Sequence, residues 1–268
     1  GSEMCIRDRG RITATGSLVY TNVTEHVKIG DAPADFQRLA PSFTVSLQPW
    51  QEQLLFLRLM YKSTFRMPTF NDLYYYRLGN RSLRPEKANE YNMGITWSRS
   101  FSSFLNYLSV TVDGYYNDVT DKIVAFPTTY AWKMANYGKV HVTGMDATLA
   151  AAASLGKNMV LVVSGGYTRQ KAIDLTDATS KSYKDQLPYT PKHSGNVSAV
   201  LEMPWVNVGY SIVGVSERYS MSQNIPENRI DGYMEHTVSL SRNFSFRHCK
   251  LRLQAEIINL TDTQYDVI

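Results

Sequence analysis

Segments of two-residue hydrophobic period are joined by connections that alternate between short and long along the whole chain. From Leu108 to Asn117, Leu108, Val110, Val112 and Tyr116 fall on one face, and Ser109, Thr111, Asp113, Tyr115 and Asn117 fall on the other. Tyr91, Met93, Ile95 and Trp97 oppose Asn92, Gly94 and Thr96 in the same way. Val197, Ala199, Leu201 and Met203 oppose Asn196, Ser198 and Glu202, while Leu251, Leu253, Ala255 and Ile257 oppose Arg252, Gln254 and Glu256. A period of two puts alternate side chains on opposite sides of a strand. One apolar and one polar face suit an antiparallel sheet. The Ala-rich run from Ala147 to Ala153, bracketed by Gly144 and Gly156, is read as strand as well.

The connections are more constraining than the strands. Short ones fall near Trp50-Gln51-Glu52-Gln53, Ser102-Ser103-Phe104, Leu155-Gly156-Lys157-Asn158, Pro204-Trp205 and Arg247-His248. Between them lie long ones: Ile29 to Ala40, Pro68 to Glu86, Phe126 to Gly138, Asp174 to Lys192 and Ser220 to Ile230. A sandwich or Greek key has no reason to sort its connections in this way. A membrane barrel does, with short turns on the periplasmic side and long loops outside the cell. Aromatic residues gather at both ends of the strands. Trp50, Phe101, Phe104, Tyr107, Trp205, Phe244 and Phe246 lie beside the short turns, and Phe65, Tyr115, Tyr116, Tyr137, Tyr167, Tyr219 and Tyr233 lie near the long loops. Two such belts are what anchoring at two membrane interfaces predicts.

Composition agrees and narrows the classes. The chain of 268 residues is 43% hydrophobic and 19% charged, too apolar for a disordered segment. No run approaches the ~18 apolar residues of a membrane helix. The formal charge of +4 comes from scattered Lys and Arg, so no nucleic-acid-binding stripe is present. Cys5 and Cys249 make no disulfide framework. His26, His141, His193, His236 and His248 are too far apart in sequence to suggest a metal site and are read as solvated or lumen residues. Neither a G-x-S-x-G elbow nor an H-E-x-x-H motif occurs, so catalysis finds no support.

One connection has a distinctive text. Phe65-Arg66-Met67-Pro68, Asn71-Asp72-Leu73-Tyr74, Gly79-Asn80 and Leu83-Arg84-Pro85-Glu86 follow one another between two strands. Pro68 removes a ladder donor and ends the first strand. Asn71 and Asp72 are expected to cap the turn that follows, and Gly79-Asn80 to make a second turn. Arg66 and Glu86 are placed to pair across the loop base. The physical reading of Phe65, Arg66, Pro68, Asn71, Asp72, Gly79, Asn80, Pro85 and Glu86 is therefore a loop-shaping element.

This text resembles the FRxP…ELY…GNxxLxPE region of the TonB-dependent receptors of bacterial outer membranes. Tyr115-Tyr116-Asn117, Asp121-Lys122-Ile123, Leu187 to His193, and Asn259-Leu260 with Tyr265 are similar to further recurrent stretches of that family, in the same order. The resemblance implies an all-β, antiparallel, up-and-down transmembrane barrel, of which this chain is an incomplete part: about eleven strands of about 22. It implies an energised importer of a scarce large ligand, an iron–siderophore or cobalamin-like complex. The implied partners are the TonB complex, reached through an N-terminal plug, together with the bilayer and lipopolysaccharide. No cofactor, metal or nucleic acid is implied. Haem receptors of the family carry a His between the FRxP and GNxxL boxes, and none stands between Pro68 and Gly79. The alternatives in other classes are a passive porin and a soluble β-sandwich binding module. Ligand contacts are expected at aromatic and basic loop tips: Tyr74, Tyr75, Tyr76 and Arg77 in one loop, and Tyr130, Trp132 and Lys133 in another.

Residues 1–9, Gly1 to Arg9, resemble the translation of a transposon-type sequencing adapter and are expected to be foreign to a barrel segment spanning 10–268. The barrel part is expected to be truncated at both ends.

Overall fold

Strands follow one another across a single sheet in chain order, each antiparallel to the last. The computed structural model describes residues 2–7, 12–24, 35–50, 54–102, 104–127, 132–156, 158–246 and 249–265. The strands are β1 (Ser2–Arg7), β2 (Ile12–Val23), β3 (Phe36–Leu47), β4 (Leu54–Arg66), β5 (Glu86–Ser100), β6 (Leu105–Pro127), β7 (Trp132–Gly156), β8 (Met159–Asp174), β9 (His193–Glu202), β10 (Asn207–Val215), β11 (Arg218–Tyr219), β12 (Arg229–Ile230), β13 (Tyr233–Ser245) and β14 (Lys250–Ile257). A 12-stranded sheet runs β1 to β10 and then β13 and β14. β11 and β12 make a separate ribbon within one long loop. Eleven of the twelve strands are those expected from the alternating pattern. The twelfth, β1, lies in the adapter-like segment and pairs with β2 from Ser2↔Leu18 to Arg7↔Thr13. An unpaired strand edge is a template for any extended chain beside it.

The register joins the apolar faces into one surface. Phe43, Tyr61, Tyr91 and Tyr116 stand in one row across four strands. Leu149, Gly165, Val197 and Ile212 continue the surface on later strands. Protein does not cover it: Met93 is 63% exposed, Leu59 55% and Tyr20 60%. Such an expanse is unsuited to water and suits a wall facing lipid. Trp50, Phe104, Trp205 and Phe246 are exposed at the short-turn end.

The opposite face is polar, and glycine lets side chains reach across it. Arg58 of β4 and Asp113 of β6 flank Gly94 of β5 in one row. Arg58 crosses the glycine and donates to Asp113 Oδ1 at 3.0 Å. Tyr115, Gly144 and Gln170 repeat the device on β6, β7 and β8. There the Tyr115 hydroxyl donates to Gln170 Oε1 at 3.1 Å.

Two expectations need correction. Phe126 to Gly138 is not a loop throughout. β6 and β7 stay in register from Lys122↔Tyr137 to Pro127↔Trp132, which makes strands of 23 and 25 residues. Another loop covers this extension and buries Ile123 and Met134, so continued pairing is favoured. Of the histidines, His141, His193 and His236 are not lumen residues. They stand on the apolar face, each against a tyrosine: Tyr116, Tyr167 and Tyr210. His26 and His248 lie outside the described residues.

Buried hydrophobic residues gather where loops fold onto the polar face. One cluster joins Ala88, Val119, Val140, Ala172 and Leu187; another joins Leu73, Leu83, Ile123 and Met134. Both lie toward the long-loop end of the sheet.

Candidate ligand-binding site

The loop from 67 to 85 leaves β4 at Arg66 and enters β5 at Glu86, the last pair of that ladder. As expected, these two side chains pair, with Nε and Oε2 3.5 Å apart. Glu86 also accepts from the Ile123 amide at 3.1 Å and lies 3.8 Å from Lys122 Nζ. Arg66 donates to the Ile123 carbonyl at 3.2 Å. The loop base is thus fastened to β6.

After Pro68 the chain forms one short helix, α1 (Phe70–Tyr74). Its N-cap residue is Thr69, with Asp72 sharing in the cap as expected and Asn71 taking no part. Thr69 is extended, and its Oγ1 accepts from the Asp72 amide at 3.2 Å. Asp72 answers from the third helical position, where its carboxylate accepts from the Thr69 amide at 2.8 Å. This capping box satisfies two otherwise orphaned amides, while Asn71 stays exposed in the helix. At Gly79 a Cβ would lie 2.7 Å from the Tyr75 nitrogen and 2.8 Å from the Leu73 carbonyl, so no side chain fits where the loop closes on the helix.

The remainder of the motif clamps the loop to the polar face of the β6–β7 hairpin. Asn80 Oδ1 accepts from the Ser82 amide at 2.9 Å, and Nδ2 donates to the Met134 carbonyl at 3.1 Å. Arg84 Nε donates to Asp121 at 2.8 Å. Asn136 accepts from the Arg84 amide and donates to the Arg84 carbonyl, both at 2.9 Å. Leu73 and Leu83 fill the space beneath.

This clamp ties the loop that carries one group of sequence-predicted contacts to the strand that carries the other. The Met134 amide donates to the Leu78 carbonyl at 3.0 Å, which ties the loop just after the tip Tyr75-Tyr76-Arg77 to β7 two residues from Trp132, while Lys133 takes the opposite face of that strand from Met134. Tyr75 is 59% and Tyr76 79% exposed, and the Arg77 guanidinium lies 5.2 Å from the Tyr76 ring centre. Arg77 holds a left-handed φ of 64° that turns the chain at this tip. Lys133 is exposed, and Trp132 stacks on Tyr189 with ring centres 6.5 Å apart. Tyr74 does not join them: its ring packs against Phe70 and the Arg81 guanidinium, on the buried cluster. Tyr130 lies outside the described residues.

Tyr189 belongs to a second inward-folded loop, tied to a third. Gln186 is buried. Its amide donates to Asn224 Oδ1 at 2.7 Å, its Oε1 accepts from the Ala172 amide at 3.2 Å, and its Nε2 donates to the Thr190 carbonyl at 3.2 Å. Asn224 in turn donates its own amide to Asp185 and its side-chain nitrogen to the Gln186 carbonyl. Within the second loop, Asp177 accepts from the Thr179 hydroxyl and amide, and both bonds hold its carboxyl below the ordinary range. Beside the third loop, the Tyr265 hydroxyl donates to Glu235, and that bond pushes the phenol up.

Sequence reasoning missed Tyr189, Asp121, Asn136, Gln186 and Asn224. Tyr189 and Asp121 stand inside motif stretches, so a signal existed. The others act through partners 15 to 52 residues away, and no local pattern marks them.

The arrangement offers aromatic planes and the Arg77 cation at the rim of a polar wall, which suits a large, partly planar ligand. Among the described residues no group of three His, Cys, Asp or Glu can hold a metal ion.

Comparison with known proteins places these features. The sequence profile described as "TonB dependent receptor-like, beta-barrel" matches residues 7–260. The vitamin B12 transporter BtuB of Photobacterium profundum is 25% identical over 209 residues, 75% of this chain and 30% of that protein. BtuB of Vibrio vulnificus is 32% identical over 84 residues, 31% of this chain and 13% of that one. The chain therefore spans under a third of the length of these relatives. Among solved structures, the unliganded ferric citrate transporter FecA superposes with a TM-score of 0.72 at 15% identity, covering 96% of this chain and 39% of that one. The copper transporter OprC gives 0.72 at 14% identity, covering 98% and 42%. These structural likenesses establish the fold, an open segment of such a barrel. With nearly its whole length matched by the family profile, the chain belongs to the TonB-dependent receptor-like β-barrel family.

Proposed function

We propose that this chain is part of the wall and mouth of an outer-membrane importer that takes up a scarce, large ligand, an iron–siderophore or cobalamin-like complex. Uptake is driven by TonB acting through an N-terminal plug in the complete receptor. One observation carries this reading. Three long loops fold onto the polar face, and one of them carries the exposed Tyr75, Tyr76 and Arg77 and is tied to β7 at Met134, two residues from Trp132. A passive pore needs an open lumen and gains nothing from a bound, inward-folded aromatic rim. The names of the relatives, vitamin B12 and ferric citrate transporters, support the ligand class.

The test is uptake of radiolabelled cobalamin and ferric siderophores by cells whose only such receptor is the complete protein carrying this segment. Uptake is expected to stop when TonB is deleted, and to fall when Tyr75, Tyr76 and Arg77 are replaced by alanine at unchanged surface abundance. Uptake that persists without TonB would instead establish a passive channel. Uptake unchanged by the triple substitution would remove the mouth from the binding site.

A further inference from the structure

The long loops are not fastened to the wall one by one. Bonds run between them in an unbroken series. The 67–85 loop reaches β7 where the Leu78 carbonyl accepts from the Met134 amide. β7 reaches the 175–192 loop twice. The Leu175 amide donates to the Lys139 carbonyl at 2.9 Å and the Lys139 amide to Thr176 Oγ1 at 3.2 Å, while Trp132 stacks on Tyr189. The Tyr189 amide then donates to the Tyr219 carbonyl of the 216–232 loop at 2.7 Å. Tyr189 does so from a left-handed φ of 56°, a conformation that a residue with a Cβ holds only when its surroundings fix it.

The junction of the last two loops is built on the buried Gln186. Its backbone faces β8 on one side, bridged to Ile173 by the bonds of Leu187 to Ala172 and of Asp174 to Asp185. On the other side its amide donates to Asn224 Oδ1 at 2.7 Å, and its carbonyl accepts from Asn224 Nδ2 at 3.0 Å. One side chain thus supplies the donor and acceptor that a neighbouring strand would supply. The Gln186 side chain is occupied elsewhere, by the Ala172 amide and the Thr190 carbonyl. All four polar groups of this residue have partners, and two of them have Asn224. A buried network with every member satisfied is rigid, and leaving a member unpaired is costly.

We propose that the Gln186–Asn224 pair is a latch that makes the three loops and the outer end of the β6–β7 hairpin one cooperative unit, which opens as a whole or not at all. Loops held only by their own stems would open independently, each at its own free energy. Here every opening that frees the 216–232 loop must also release Tyr189, Trp132 and Met134. The functional consequence rests on the importer reading above: a large ligand meets a mouth already ordered before it arrives, which lowers the cost of binding it.

The experiment is amide hydrogen exchange, read by mass spectrometry at residue resolution, on the complete receptor in detergent micelles without ligand. Asn224→Ala leaves two groups of a buried residue unpaired. Exchange at the Leu187, Tyr189 and Met134 amides is expected to rise by one common factor, roughly 30-fold for two hydrogen bonds of ordinary strength. Trp132→Ala loosens the unit from its other end and should raise exchange at the Gln186 amide. Asn228→Ala removes a bond confined to the 216–232 loop, from Asn228 Nδ2 to the Gln223 carbonyl at 2.9 Å, and should leave Leu187 and Met134 unchanged. Heat-modifiable electrophoretic migration shows whether each variant folds. Trp132→Ala alters a partly exposed side chain and keeps the test decisive if Asn224→Ala does not fold. A rise confined to the 175–192 and 216–232 loops, with Met134 unchanged, overturns the proposal. So does wild-type exchange at Gln186 in the Trp132→Ala variant, or an Asn228→Ala variant that loosens Met134 as much as Asn224→Ala does. No ligand enters this experiment, so failure of the uptake assay would sink the importer reading and leave the latch to be decided by exchange.

Discussion

Replacing Gly144 with alanine tests whether glycine is needed where a side chain crosses a strand. A Cβ built on Gly144 falls 2.3 Å from Cζ and the hydroxyl oxygen of Tyr115 and 2.7 Å from Cε2, so the ring must leave. Its departure breaks the 3.1 Å hydrogen bond to Gln170, which costs about 1 kcal/mol. Lifting the ring from the wall costs about 1–2 kcal/mol more in lost burial. Against this, alanine in place of glycine within a strand is favoured by about 0.5–1 kcal/mol. The net expectation is a loss of about 1–2.5 kcal/mol in the complete barrel. In a Tyr115→Ala background only the backbone term remains, and the same Gly144→Ala change should stabilise by about 0.5–1 kcal/mol. The coupling between the two positions is then about 2–3 kcal/mol. Tyr115→Phe separates ring from hydroxyl: it loses the hydrogen bond but keeps the clash, so Gly144→Ala should still be harmful there. The assay is urea unfolding of the refolded receptor in micelles, followed by heat-modifiable migration. A coupling under about 0.5 kcal/mol, or a Gly144→Ala protein as stable as wild type, would refute the reasoning.

Gly94→Ala should act in the same direction, since its Cβ would crowd Asp113 Oδ1 and separate Asp113 from Arg58; folding yield with and without Asp113→Ala checks this. Glu86→Ala removes the acceptor of the Ile123 amide and the partner of Arg66 and Lys122, so it should destabilise the loop base by about 1–2 kcal/mol. Hydrogen exchange at Ile123 should rise while binding per folded receptor changes little. Arg66→Ala should likewise lower surface level more than ligand affinity, and normal abundance with lost binding would make Arg66 a ligand residue. Asp177, with its carboxyl held below the ordinary 3.8, contributes to the loop above that value and loses the contribution as pH falls through its lower folded value. Protection of the Thr179 amide should therefore persist on acidification past the usual aspartate range and disappear only below it. Loss within the usual range would show that the turn does not hold the carboxylate.

The legible parts of this fold were those encoded locally. Alternation in Tyr91 to Trp97 or Leu251 to Ile257 assigns each residue to a face without reference to any neighbour, and turn lengths assign each strand a direction. The Arg66–Glu86 pair was legible too, because two ends of one loop must meet. The cap of α1 carried a local signal, the threonine and acid three residues apart at Thr69 and Asp72, which competes in the sequence with the asparagine between them. The β6–β7 extension carried none. Whether Phe126 to Gly138 pairs or loops is decided by the 67–85 loop lying over Ile123 and Met134, a contact made by residues about 50 positions away.

The polar wall was less readable than the apolar one for the same physical cause. A lipid-facing surface asks only that each residue be apolar, and strand neighbours add little to that demand. A polar wall asks for partners, and partners depend on register between strands. The contacts from Arg58 to Asp113 and from Tyr115 to Gln170 each span 55 residues, because each skips a whole strand. Each requires three coincidences: matching row, matching face and a glycine between. In an up-and-down sheet the first two follow once every turn length is known. The third then converts an otherwise weak strand glycine into a specific one. At Gly94 and Gly144 the missing side chain is the space through which a neighbour passes, so these glycines read as breakers in one dimension and as fittings in three.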